Sequence, residues 1–129
     1  MIPHNALIVV ADGTGARFFR NKGQGGSVSL SADGELRPSD LLNEGPAGKR
    51  PTSSSQKETD EATFAKQLAQ DLYRRVHAGS AVDLVLIADK QTLGQIRPAL
   101  HKEVRNRLVR EIGKTLTKAS VADIEKALT

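Results

Sequence analysis

The chain of 129 residues has no cysteine and no tryptophan. Without cysteine there is no disulfide, no thiolate metal site and no cysteine nucleophile. Aromatic residues are equally sparse: Phe18, Phe19, Phe64 and Tyr73 are all of them. A sheet that reads single-stranded RNA by stacking bases normally carries more. The three histidines, His4, His77 and His101, have no ligand spacing, so no histidine-based metal site is expected. No run approaches the roughly 20 apolar residues needed to span a bilayer. No basic stretch leads into a long apolar run at the start, so a cytoplasmic protein without a membrane segment is expected.

Charge is present and unevenly spread. The formal net charge is +4, from 19 Lys+Arg against 15 Asp+Glu. Between Arg97 and Lys118 the bases Arg97, Lys102, Arg105, Arg107, Arg110, Lys114 and Lys118 face only Glu103 and Glu111. Such a run is either a solvated surface or a phosphate-contacting patch.

Residues 6–11, Ala-Leu-Ile-Val-Val-Ala, form an uninterrupted apolar run, as a strand buried on both faces does. Asp12-Gly13-Thr14-Gly15 follows it. A dinucleotide loop needs strand, glycine loop and helix, with a third glycine where Phe18 stands here. Ala16–Arg20 is strand-like, so the glycines are expected to close a hairpin. Ser27–Ser31 alternates polar and apolar residues and predicts a third strand, with a turn or bulge at Asp33-Gly34 and strand resuming at Leu36.

Residues 37–58 carry Pro38, Pro46 and Pro51 among glycine, serine and charge, and predict a long mobile loop. Ser55 and Glu58 have capping-box spacing. Ala65, Leu68, Ala69, Leu72 and Val76 then make one helical face, with Gly79 as its stop. Val82–Ala88 is a second buried strand. A helix over 91–101, disturbed by Pro98, and a strand over 106–112, with Leu108, Arg110 and Ile112 on one face, come next. Ser120–Leu128 closes the chain as a short helix. The order β-β-β-α-β-α-β-α predicts one α/β domain over 1–129: a mixed five-stranded sheet of ribonuclease H-like type with helices on its faces.

The ordered series "LIVVADGTGARFFR", "FAKQLAQDL", "DLVLIADKQTLGQIRPAL" and "EIGKTLTKASVADIEKAL" resembles the bacterial host attachment protein family, over nearly the whole chain. That family is similar to the middle domain of the archaeal and eukaryotic class I peptide release factor. There, a long loop before the first helix carries the Gly-Gly-Gln motif that enters the peptidyl transferase centre. The matching loop here, 43–60, has Gly45, Gly48, Lys49 and Arg50 but no Gly-Gly-Gln; Gln56 follows Ser54 and Ser55. Peptidyl-tRNA hydrolysis is therefore not carried over, and a non-catalytic role is expected. The resemblance implies ribosome or RNA binding through Lys49, Arg50 and Lys57, joined by Arg105, Arg107 and Arg110 of the basic half. No cofactor and no metal are implied.

Two other readings remain open. A ribonuclease H-like nuclease would place Asp12 and Asp89 at strand ends to hold Mg²⁺, with Glu58 or Glu61 joining them. Equally, Asp12 serves as a turn residue and Asp89 as a helix cap. A plain protein-interaction module is the third reading.

Overall fold

The computed structural model of the chain describes residues 2–13, 15–23, 27–36 and 54–128, and for 54–62 the backbone alone. Five strands form one open sheet: β1 Leu7–Asp12, β2 Gly15–Asn21, β3 Leu30–Leu36, β4 Leu84–Ala88 and β5 Leu108–Gly113, in the spatial order β3-β2-β1-β4-β5. β2 runs antiparallel to β1 and β3, while β1, β4 and β5 are parallel. The helices are α1 Ser54–His77, α2 Lys90–Ile96, α3 Lys102–Arg105 and α4 Val121–Leu128.

β1 as far as Ala11 and the whole of β4 are apolar because both sides of the sheet are covered. Leu7, Val9 and Ala11 of β1 face a core with Leu84, Leu86 and Ala88 of β4. Phe64, Ala65, Leu68, Ala69, Leu72 and Val76 of α1 seal this side, with Leu93 and Ile96 of α2 and Val104 of α3. Ile8, Val10, Val85 and Ile87 face the other side, closed by Ile124 and Leu128 of α4 and by Ile2. Each fully buried aliphatic or aromatic side chain contributes about 1.5–3 kcal/mol relative to exposure.

The Asp12–Gly15 stretch is a hairpin turn: Asp12 pairs with Gly15 and Ala11 with Ala16. α1 starts at Ser54, so the expected loop gives way to helix several residues early, and Lys57 lies in the first helical turn. Residues 37–53 of that loop lie outside the described residues, as do the side chains of the Ser55/Glu58 capping box. At the other end Gly79 takes φ +79°, and the Ser80 amide donates to the Arg75 carbonyl, closing the helix as expected.

Three expectations need correction. The strand expected over 27–31 begins only at Leu30 and runs through Asp33-Gly34 to Leu36. Against β2, Arg17 and Phe19 oppose Glu35 and Ala32, so β3 carries one extra residue, and Gly34 at φ +114° absorbs this bulge. The helix over 91–101, expected to kink or end early at Pro98, does end early, at Ile96, so only its C-terminal bound is corrected. Pro98 opens a 3₁₀ turn, Arg97–Ala99, where its missing N–H costs no bond, and His101 then caps the separate α3. In β5 the register against β4 shifts between Leu84–Leu108 and Val85–Arg110. Leu108 therefore packs toward α1, and Ile112 packs toward α4, on the opposite face.

Candidate functional site at the carboxyl edge of the sheet

Ligands of open α/β sheets bind outside the carboxyl ends of the parallel strands. In this protein Ala11 pairs with Ala88, so the next residues, Asp12 and Asp89, emerge together at that edge from adjacent central strands. The juxtaposition expected for a nuclease is thus present in the backbone, but both carboxylates already have structural partners. Asp89 caps α2: Oδ2 accepts from the Thr92 amide at 3.1 Å, and Oδ1 accepts from the Thr92 hydroxyl at 2.6 Å. Asp12 Oδ2 accepts from the Thr117 hydroxyl at 2.7 Å. Among the described residues, no three His, Asp or Glu side chains converge in a way that would hold a metal ion.

The Asp12–Thr117 bond is half of a clasp. Arg17, on β2, donates through one guanidinium nitrogen to the Thr117 carbonyl at 3.1 Å and the Ala119 carbonyl at 3.0 Å. The same guanidinium stacks 4.9 Å from the centroid of Phe19. Together these contacts pin the β5–α4 connection onto the β1–β2 turn. Between them lies a cleft of about 240 Å³, lined by Asp12, Gly15, Arg17, Glu35, Thr117 and Lys118. Leu36, the last residue of β3, is also part of its wall. At Gly15 an added Cβ would sit 3.3 Å from the Leu36 carbonyl oxygen, a close approach of the two backbones.

The basic residues expected to bind RNA are distributed differently from their sequence order. Lys49 and Arg50 lie outside the described residues, and Lys57 is placed by its backbone only. Arg105, at the end of α3, donates to the Arg97 carbonyl at 2.7 Å. Arg107 lies beyond it, at the amino edge of β5, and borders a second, larger pocket of about 600 Å³ with Val76, His77, Glu103 and Asn106. Arg110 is on the opposite face, where it donates to the Leu128 carbonyl at the end of α4, a cation at a helix C-terminus. Glu111 in turn holds Arg97 at 2.8 Å. The run from Arg97 to Lys118 is therefore not one continuous patch.

Arg17, Thr117 and Asn21 went unseen in the sequence. Arg17 and Thr117 meet from opposite ends of the chain, and no local pattern marks them. Asn21 is fully buried at the end of β2, where a polar residue after the aromatic pair looks like an exposed strand end. A buried amide at that place holds four backbone groups at once.

None of the described helices is long and apolar enough to cross a membrane. No curated protein matches the chain in sequence. The family model of bacterial archaeo-eukaryotic release factor family 12 matches residues 5–128, which takes in every strand and helix described above, and the chain belongs to that family.

Proposed function

We propose that this protein is a release-factor-like module that associates with the ribosome through its RNA, and that it works in the cytoplasm. The observation that carries this reading is the family membership over residues 5–128. The strand order β3-β2-β1-β4-β5, with β2 alone antiparallel, supports a ribonuclease H-like arrangement of the domain. In chain order, the segment between β3 and α1 corresponds to the release factor's catalytic loop. It follows Leu36, which lines the carboxyl-edge cleft, and carries Lys49 and Arg50, with Lys57 just inside α1. These cations supply phosphate contacts, joined by Arg105 and Arg107 at the far edge and Arg110 near α4. The segment has no Gly-Gly-Gln, so the module binds without hydrolysing peptidyl-tRNA. A role in host attachment is then indirect, through gene expression.

The engagement of Asp12 and Asp89 by Thr117 and Thr92 weighs against the nuclease reading. The test is ribosome co-sedimentation across a salt series, with Lys49→Ala/Arg50→Ala beside the unaltered chain. Binding that falls steeply with salt, and is weaker and less salt-dependent in the double variant, is expected. No binding at low salt, where electrostatic association is strongest, would overturn the reading.

A further inference from the structure

At the amino edge of the sheet, the protein's only tyrosine contacts two of its three histidines. Tyr73 stacks with His77 at a centroid distance of 5.6 Å and an interplanar angle of 26°. It also meets His101, in a tilted contact at 4.3 Å and 37°. Both contacts are braced. Tyr73 is half-buried against the α1 core, and the His101 ring is held by its Nδ1, which accepts from the Glu103 amide at 3.1 Å. His77, at the end of α1, is open to solvent, with 71% of its side chain exposed.

His77 also lines the pocket of about 600 Å³, together with Val76, Glu103, Asn106 and Arg107. This volume is within the usual range for small-molecule sites, roughly 300–1,000 Å³. Each lining group suits one part of a nucleotide. An imidazole backed by a second ring is a platform for a base, and Val76 adds an apolar edge. The Glu103 carboxylate, 3.9 Å from His77 Nδ1, accepts hydrogen bonds only and so favours a base edge rich in N–H donors. Guanine presents such an edge in its N1–H and exocyclic amine, and adenine offers one amine. Arg107 brings a fork of donors that matches phosphate, and among the described residues its guanidinium makes no hydrogen bond or ion pair.

We propose that this pocket binds a guanosine monophosphate unit, its base stacked on His77 and read by Glu103, its phosphate held by Arg107. The unit is either a free nucleotide or one exposed guanosine of an RNA strand. The site contains neither Lys49 nor Arg50, so its failure is distinguishable from failure of the Lys49→Ala/Arg50→Ala co-sedimentation test.

The test is calorimetric titration of the full chain with GMP, AMP, guanosine and a short single-stranded RNA containing one guanosine. GMP is expected to bind more tightly than AMP. His77→Ala should weaken GMP at least about fivefold, the lower end of the cost of losing one base–aromatic stack. Arg107→Ala should weaken GMP but leave guanosine unchanged. Glu103→Gln should erase the preference for GMP over AMP. His77 is exposed, so its variant should keep the circular dichroism and melting curve of the unaltered chain. An RNA that binds more tightly than GMP assigns the site to an RNA strand, and equal affinity assigns it to the free nucleotide. Failure of both GMP and the RNA to bind at millimolar concentration would overturn the proposal. Binding undiminished in the folded His77→Ala variant would overturn it as well.

Discussion

Replacing Asn21 by alanine tests how much of this fold rests on one buried amide. Its Nδ2 donates to the carbonyls of Ile2 and Pro3, both at 3.1 Å. Its Oδ1 accepts from the amides of Gly23 at 3.0 Å and Ser29 at 3.1 Å. One side chain thus joins the chain start, the end of β2 and the approach to β3. Alanine leaves two amides and two carbonyls without that partner. The Gly23 bond is buried, and an unsatisfied buried donor costs about 1–3 kcal/mol. The bonds to Pro3 and Ser29 are only part-buried, so those groups recover some hydration. The net loss should be about 3 kcal/mol, or a fall in Tm of about 10 °C for a domain of this size. Urea unfolding would read it as a lower midpoint at unchanged slope. A loss below about 1 kcal/mol would show that water replaces the amide without difficulty and that the hub reasoning is wrong.

Two further outcomes follow from the same kind of accounting. Gly34→Val should cost about 1–3 kcal/mol by urea unfolding, because φ +114° suits glycine alone. An added Cβ meets nothing within 4 Å there, so the cost is backbone strain without a clash. Asp89→Ala should destabilise by about 1 kcal/mol through loss of the α2 cap, and Asp89→Asn by much less, because asparagine caps nearly as well. Thermal melts of the pair would check this, and equal losses would contradict the capping role.

The parts of the fold that were legible in the sequence are those whose burial repeats. The runs around Val9 and Leu86 are apolar because the sheet is covered on both sides, and the Leu68–Leu72–Val76 stripe has the period of one helix face. Alternation misled at Ser27–Ser31. Ser29 gives its amide to the Asn21 side chain, and the ladder with β2 starts only at Leu30. At β5, a one-residue register shift divides Leu108 from Ile112, which strict alternation places on one face. The same shift helps to scatter the basic run. The Asp12–Asp89 proximity was legible because both end apolar runs. Their partners were partly hidden: Thr92 lies within capping distance of Asp89, but Thr117 reaches Asp12 only through the folded chain.

The register that sets Leu7 beside Leu84 also orders events during synthesis. β1 and β2 are joined by a tight turn and can zip together as soon as both have been made. The other edge of β1 waits for β4, which is translated only after the whole of α1. Until then Leu-Ile-Val-Val-Ala has one unpaired, strongly apolar edge, the kind that templates strand-to-strand association between chains. Completion of α1 and β4 ends that exposure. The interval between the hairpin and its parallel partner is therefore the stage of biogenesis at which this chain most needs protection from its own copies.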